Sequence, residues 1–224
     1  MAFHSDFPVT LLGAGPVYPG DIKEILNIAP GLVAADGGAA TALEAGRVPD
    51  LVIGDFDSLP HSTGESLPKD RLLHVTEQDS TDFEKCLSRI TAPLILALGF
   101  TGARIDHELA VYSALARHVT ARCIVIGSDD IVFRVPRRLS LGLAPGDRVS
   151  LFPMGPVRGR SEGLRWPIDG IDFAPGGRIG TSNAATGPVQ LEFEGDAMLA
   201  IIPRAELAAA MAGLSAAPRG VRAR

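Results

Sequence analysis

A chain of 224 residues, 46% hydrophobic and 21% charged, is long enough for one large or two small domains and has an ordinary globular composition. Its formal net charge of −5 argues against nucleic acid as a partner, because such proteins normally carry a basic excess. No apolar run approaches the ~20 residues of a membrane helix, and Met1 to Phe7 shows no basic stretch ahead of an apolar core. No membrane association and a cytoplasmic location are therefore expected, with Cys86 and Cys123 reduced and buried inside apolar patterns.

Val9 to Gly13 predicts a first strand, which runs into Gly13-Ala14-Gly15. A dinucleotide fingerprint would need a third glycine at position 18, which is Tyr18, so the glycines predict only a tight strand-to-helix turn. Asp21 to Ile28 reads as a short helix closed by Pro30-Gly31. Leu32 to Ala35 is a second apolar strand, ending at Asp36-Gly37-Gly38, and a helix from Ala39 to Ala45 follows. Asp36 thus lies where open α/β sheets hold their ligands.

Pro49 to Ser58 is the central stretch: a short apolar strand, Gly54, then Asp55-Phe56-Asp57. In extended backbone, side chains at i and i+2 leave one face, so Asp55 and Asp57 should project together. Two adjacent carboxylates repel unless a positive charge lies between them, and a hard divalent cation with oxygen ligands meets that need. An Asp- and Ser-rich turn without function is the plain alternative.

A Pro-, Ser- and Gly-rich loop is expected from Leu59 to Pro68, then His74-Val75-Thr76 as the next extended piece. Thr81 and Glu84 form a capping box, and Phe83, Cys86, Leu87 and Ile90 follow at helical spacing. Asp82 in that first turn has a sufficient role in the helix dipole, whereas Asp79 precedes the cap and is not needed for it. Pro93 to Leu98 is an apolar strand of the kind buried on both faces, emptying into Gly99 to His107. Arg104 in this glycine-rich loop has the planar fork that suits phosphate oxygens. Asp106 is either an N-cap or part of a site. The next helix is expected to turn Leu109, Tyr112 and Leu115-Ala116 inward, and Cys123 to Gly127 and Ile131 to Val135 read as further strands.

Beyond Pro136 helical periodicity gives way to short strands with frequent Gly and Pro. Val189 to Glu194 alternates cleanly, and Gly195-Asp196 should join it to Met198–Ile202 as a hairpin. The predicted organisation is α/β over residues 1–136, with a Rossmann-like parallel sheet and flanking helices. A small all-β sandwich domain over 137–215 follows, then a basic, flexible tail over 216–224 carrying Arg219, Arg222 and Arg224. Asp36, Asp55, Asp57, Asp79 and the Arg104/Asp106 loop all follow predicted strands or open helices, so one sheet rim should gather them around Mg²⁺ and a nucleotide triphosphate. A Walker pattern is absent.

With these stretches assembled, the chain resembles the thiamine pyrophosphokinase family. The resemblance is carried by Ala35-Asp36-Gly37-Gly38-Ala39, Gly54-Asp55-Phe56-Asp57-Ser58, Gln78-Asp79-Ser80-Thr81-Asp82-Phe83-Glu84-Lys85, and Gly102-Ala103-Arg104-Ile105-Asp106-His107. Ser161 to Trp166 and Thr181-Ser182-Asn183 extend it into the second part. The resemblance implies a homodimer with sites shared between subunits, and transfer of the β,γ-diphosphate of ATP to the hydroxyl of thiamine with release of AMP. It implies that Asp55, Asp57 and Asp79, with Asp36, hold Mg²⁺ and the triphosphate; the thiamine hydroxyl must also lose a proton, for which Asp79 or Asp57 is the expected acceptor. Gln78, Thr81, Asp82, Lys85, Arg104, Asp106 and His107 would line the ATP site, while Trp166, Ser182 and Asn183 would approach thiamine. A core position for Trp166 remains an equal expectation. The chain departs from the family pattern in its glycine-rich loop, with Ala103 for glycine and a large Phe100, and at Ala40, Val111 and Gly180. Two other activities fit parts of the pattern: an aspartate-nucleophile phosphohydrolase, and a thiamine-binding protein without catalysis.

Overall fold

Four mainly apolar tetrads before residue 127 fold as short strands buried at every residue, as strands with both faces covered must be. The computed structural model of the chain describes residues 3–57 and 61–218. In order the elements are β1 (Phe3–His4), β2 (Val9–Leu12), α1 (Asp21–Ile28), β3 (Gly31–Ala35), α2 (Gly38–Glu44), β4 (Leu51–Gly54) and α3 (His61–Ser66). Then come β5 (Leu72–His74), α4 (Asp82–Leu87), β6 (Ile90–Thr91), β7 (Ile95–Leu98), α5 (Ile105–Arg117) and β8 (Cys123–Ile126). The remainder is β9 (Asp130–Arg134), β10 (Arg138–Leu141), β11 (Arg148–Pro153), β12 (Gly159–Leu164), β13 (Thr181–Phe193), β14 (Met198–Pro203) and α6 (Leu207–Ala216). This is a mixed α/β fold in two units, Met1–Ala114 with Val125–Ser128 and Leu115–Ile124 with Asp129–Arg224.

In the first unit β3, β4 and β5 pair in parallel, in a register that sets Ala35 beside Ile53 and Gly54 beside His74. Their C-terminal ends therefore share one edge. β2 and β7 form a second parallel pair. Gly13 and Gly15, just past β2, serve that pairing: their N–H groups donate to the Leu98 and Gly99 carbonyls at 2.8 Å each. A Cβ on Gly13 or Gly15 would meet the Gly99 oxygen at 2.5 or 2.7 Å. Close approach of two backbones explains these glycines.

In the second unit every strand pairing is antiparallel. β13 is long enough to change partners, pairing with β11 through Thr181–Ala184 and with β10 and β12 farther on.

Four sequence expectations are corrected. The expected loop over 59–68 contains α3, whose sequence has no apolar spacing to announce it. α4 stops at Leu87, and Ile90 instead pairs with Phe3 in β6, because a strand partner outweighs one more helical position. Leu109 is 59% exposed, and α5 buries Val111, Ala114 and Leu115. Finally, β13 and β14 do not form a hairpin: β14 pairs with β11 and β9, so β11 lies between the two. Period-2 alternation reveals which face of a strand is buried and says nothing about which strand lies beside it. The arginines at 219, 222 and 224, and Ser58 at the end of the central stretch, lie outside the described residues.

Candidate active site

The site is built on the ends of β3 and β4. Asp36 follows β3 with a left-handed φ of 42°, a conformation aspartate tolerates better than most residues. Its N–H donates to the Ile53 carbonyl at 2.9 Å, and its own carbonyl accepts from Ala39 at 3.0 Å as α2 begins. The side chain is buried. What admits it is Gly54, where an added Cβ would lie 2.7 Å from the Asp36 Cβ. The glycine ahead of Asp55 is thus the space that the neighbouring carboxylate occupies.

Asp36, Asp55 and Asp57 each offer one carboxylate oxygen to a group whose atoms all lie within 4.8 Å of one another. Convergence of Asp55 and Asp57 was expected from the alternation of an extended strand, but the cause is different. β4 ends at Gly54, Phe56 adopts φ 67°, and the Asp57 N–H folds back onto Asp55 Oδ1 at 3.3 Å. A turn brings the carboxylates together. Positive φ in an aromatic residue is strained, and the Phe56 ring is held by stacking on His74, with centroids 5.3 Å apart. His74 Nε2 in turn lies 3.1 Å from the Asp55 carbonyl oxygen. Neither His74 nor the role of Phe56 was legible beforehand, since each depends on the register of β4 against β5.

A buried lysine reaches this rim at Asp55. Lys85 is only 2% exposed, and its Nζ donates to Asp55 Oδ2 at 2.8 Å and Asp82 Oδ1 at 3.1 Å. Gln78 Nε2 adds a third hydrogen bond to Asp55 Oδ2 at 3.0 Å. The Lys85 ammonium holds the Asp55 carboxyl down at about 2. Burial opposes the Lys85 charge, yet its two carboxylate partners outweigh that and raise its pKa. α4 presents Lys85 because Thr81 caps the helix, its Oγ1 accepting from the Glu84 N–H at 3.3 Å.

The other sequence-derived residues divide. Thr81, Asp82 and Gln78 are accounted for by the contacts just given. Asp79 is exposed and stands outside the group of three carboxylates; its N–H donates to Glu77 Oε2 at 3.0 Å. Glu77, which sequence reasoning passed over, also takes the Ser80 N–H and hydroxyl and so orders this segment. Arg104 and Asp106 pair with each other at 2.6 Å on the surface, and the guanidinium holds Asp106 down at about 2. His107 is exposed beside them.

In the second unit, Trp166 is 54% exposed, which removes the core position as its explanation. Ser182 is exposed and Asn183 is buried, its side chain hydrogen-bonded to both backbone polar groups of Trp166.

Three convergent carboxylates, grouped with no histidine or cysteine among the described residues, could hold a hard divalent cation, which takes oxygen ligands. Such a cation draws phosphate oxygens. Comparison with known proteins gives the family and the fold. The family model for the thiamin pyrophosphokinase catalytic domain matches residues 22–126, and the one for its vitamin B1 binding domain matches 132–198. Thiamine pyrophosphokinase 1 of Oryza sativa subsp. japonica is 32% identical over 154 residues, 60% of this chain and 58% of that protein. The chain thus spans under two thirds of this relative. Thiamin pyrophosphokinase 1 of Caenorhabditis elegans is 28% identical over 184 residues, 73% of this chain and 75% of that one. The fold is that of thiamin pyrophosphokinase from Geobacillus thermodenitrificans, with a TM-score of 0.70 at 23% identity over 90% of this chain and 99% of the other. The Candida albicans enzyme gives 0.73 at 16% identity, over 90% and 93%. Since the two models between them take in well over half of the residues, and the acidic rim lies inside the first, the chain belongs to the thiamine pyrophosphokinase family.

Proposed function

We propose that this protein is a Mg²⁺-dependent thiamine pyrophosphokinase, which moves the terminal diphosphate of ATP onto the hydroxyl of thiamine and releases AMP. The observation that carries the proposal is the convergence of Asp36, Asp55 and Asp57 beside the buried Lys85, inside the stretch matched by the catalytic-domain model. In the proposed step the thiamine hydroxyl oxygen bonds to the β-phosphorus of ATP. The bond from that phosphorus to the oxygen shared with the α-phosphate breaks, and AMP departs with the electron pair. The hydroxyl proton passes to a carboxylate on the same rim, Asp57 or Asp79, both exposed to an incoming substrate. Asp36, Asp55 and Asp57 would hold Mg²⁺, with Asp79 as a further candidate ligand, and the ion would supply neutralisation of phosphate charge. Lys85 keeps Asp55 ionised and oriented, and Gln78 fixes the same oxygen. Positioning and charge compensation of this kind are what phosphoryl transfer chiefly demands.

Arg104, Asp106 and His107, with Thr81 and Asp82, complete the proposed ATP side, and Trp166, Ser182 and Asn183 the thiamine side. The proposed layout is a Rossmann-like parallel sheet over residues 1–136 as the nucleotide domain and a β-sandwich over 137–215 as the thiamine domain, with 216–224 as a tail. The working form is a cytoplasmic homodimer with shared sites. No helix among the described residues is long and apolar enough to cross a membrane, and both cysteines are free and buried, in keeping with that location. The test is incubation with ATP, Mg²⁺ and thiamine. Thiamine diphosphate and AMP in equal amounts are expected, while thiamine binding without AMP release would replace catalysis with binding alone.

A further inference from the structure

The backbone of Trp166, the only tryptophan in the chain, is held at the surface by an arrangement that the exposed indole does not itself require. Asn183 is 3% exposed. Its Oδ1 accepts from the Trp166 N–H at 3.1 Å and the Ala184 N–H at 3.0 Å, and its Nδ2 donates to the Trp166 carbonyl at 2.6 Å. One buried amide thus closes both backbone polar groups of an exposed residue. The preceding strand segment is equally specific: Gly163 in β12 has φ 77°, an added Cβ there would lie 2.1 Å from the Pro188 oxygen, and the β12–β13 register shifts between Glu162 and Leu164. Bulges of this kind redirect the side chains that follow. The Arg165 N–H then bonds to the Ala184 carbonyl at 2.9 Å, and the Arg165 guanidinium lies over the Trp166 ring, 4.8 Å from its centroid.

A solvent-facing indole on a firmly bonded backbone, already carrying a cation on one face, is a cation-recognition surface with its own occupant. We propose that Arg165 competes with the flat, positively charged ring of the acceptor substrate for the face of Trp166 that it covers, and that Asn183 is a positioning residue that holds the Trp166 backbone in place for this exchange. The proposal rests on the reading of thiamine as the acceptor. Arg165 would thereby weaken binding of the acceptor and exclude neutral rings, which gain too little from the indole to displace a guanidinium.

Because Trp166 is the sole tryptophan, its fluorescence reports this surface alone. In the full chain, Arg165→Gln should make Trp166 emission more easily quenched by acrylamide. It should also tighten the dissociation constant for thiamine, titrated without ATP, by about two- to fivefold, the worth of one exposed cation–π contact. The KM for thiamine should fall with it and the KM for ATP should not follow. Asn183→Ala should lower the fluorescence anisotropy of Trp166 and raise the thiamine KM. If that variant does not fold, the isosteric Asn183→Asp, which sets an oxygen against the Trp166 carbonyl, should lower the anisotropy in its place. Thiamine binding that is unchanged or weaker in Arg165→Gln overturns the competition, and wild-type anisotropy in the Asn183 variants overturns the positioning role. Wild-type protein whose emission ignores thiamine and which forms no AMP would instead overturn the acceptor assignment itself, a result distinct from either of these.

Discussion

Replacing Gly54 by alanine tests the acidic rim without removing any functional group. Gly54 does not have a positive φ, so the new methyl introduces no backbone strain of its own. Its effect is steric: the added Cβ would lie 2.7 Å from Asp36 Cβ and 3.1 Å from Asp36 Cα and Cγ. Ordinary carbon contacts lie at about 3.5–4.0 Å, so Asp36 and β4 must separate by roughly 1 Å. Overpacking of that size costs about 1–3 kcal/mol of stability, and moving a ligand carboxylate by about 1 Å can lower the rate by about 100-fold. The assay is the initial rate of AMP release with ATP, Mg²⁺ and thiamine, measured beside a thermal melt. Gly46→Ala is the control: its φ of 70° makes alanine strained there, but nothing lies within 4 Å. It should lose about 1 kcal/mol of stability and keep its rate per folded molecule. A Gly54→Ala protein that turns over within about twofold of wild type, against the 100-fold of a 1 Å displacement, would refute the claim that this glycine exists to seat Asp36.

Asp55→Ala and Asp57→Ala should each nearly abolish AMP release while the protein still melts cooperatively; wild-type rates in either would contradict the metal assignment. Trp166→Ala should raise the KM for thiamine more than that for ATP, and an unchanged thiamine KM would reject stacking on the indole. The Lys85–Asp55 pair makes a statement about pH. A carboxyl held at about 2 instead of 3.8 contributes stability that is complete above about pH 4 and lost as pH falls towards 2. The amount is on the order of 1–2 kcal/mol, given the shift and the partial solvent screening. Lys85→Met should remove this part of the acid limb in urea unfolding of the metal-free protein, and parallel acid limbs in the two proteins would refute it.

Much of the candidate site was legible because its geometry is local. Asp36, Asp55 and Asp57 follow short apolar runs, and a parallel sheet obliges the ends of such runs to meet along one edge. The helix that presents Lys85 is announced by Thr81, whose hydroxyl does cap it. Other features were legible as residues and obscure as causes. Gly13 and Gly15 stood out, but only the pairing of β2 with β7 explains them as a close approach of two backbones. Asp79 looked equivalent to its neighbours, and only the backbone path leaves it outside the group of three.

What the sequence determined by itself is whatever a few consecutive residues decide through propensity and alternation: buried strands, a capped helix, a run of carboxylates ahead of turns. Tertiary structure alone decided which strands are neighbours, and so β13 lies against β11 instead of β14, His74 beneath Phe56, and Asn183 behind Trp166. Pattern along a chain records which face of an element is buried. The partner on that face is chosen by free energy summed over residues far apart in sequence, and no local window contains that sum.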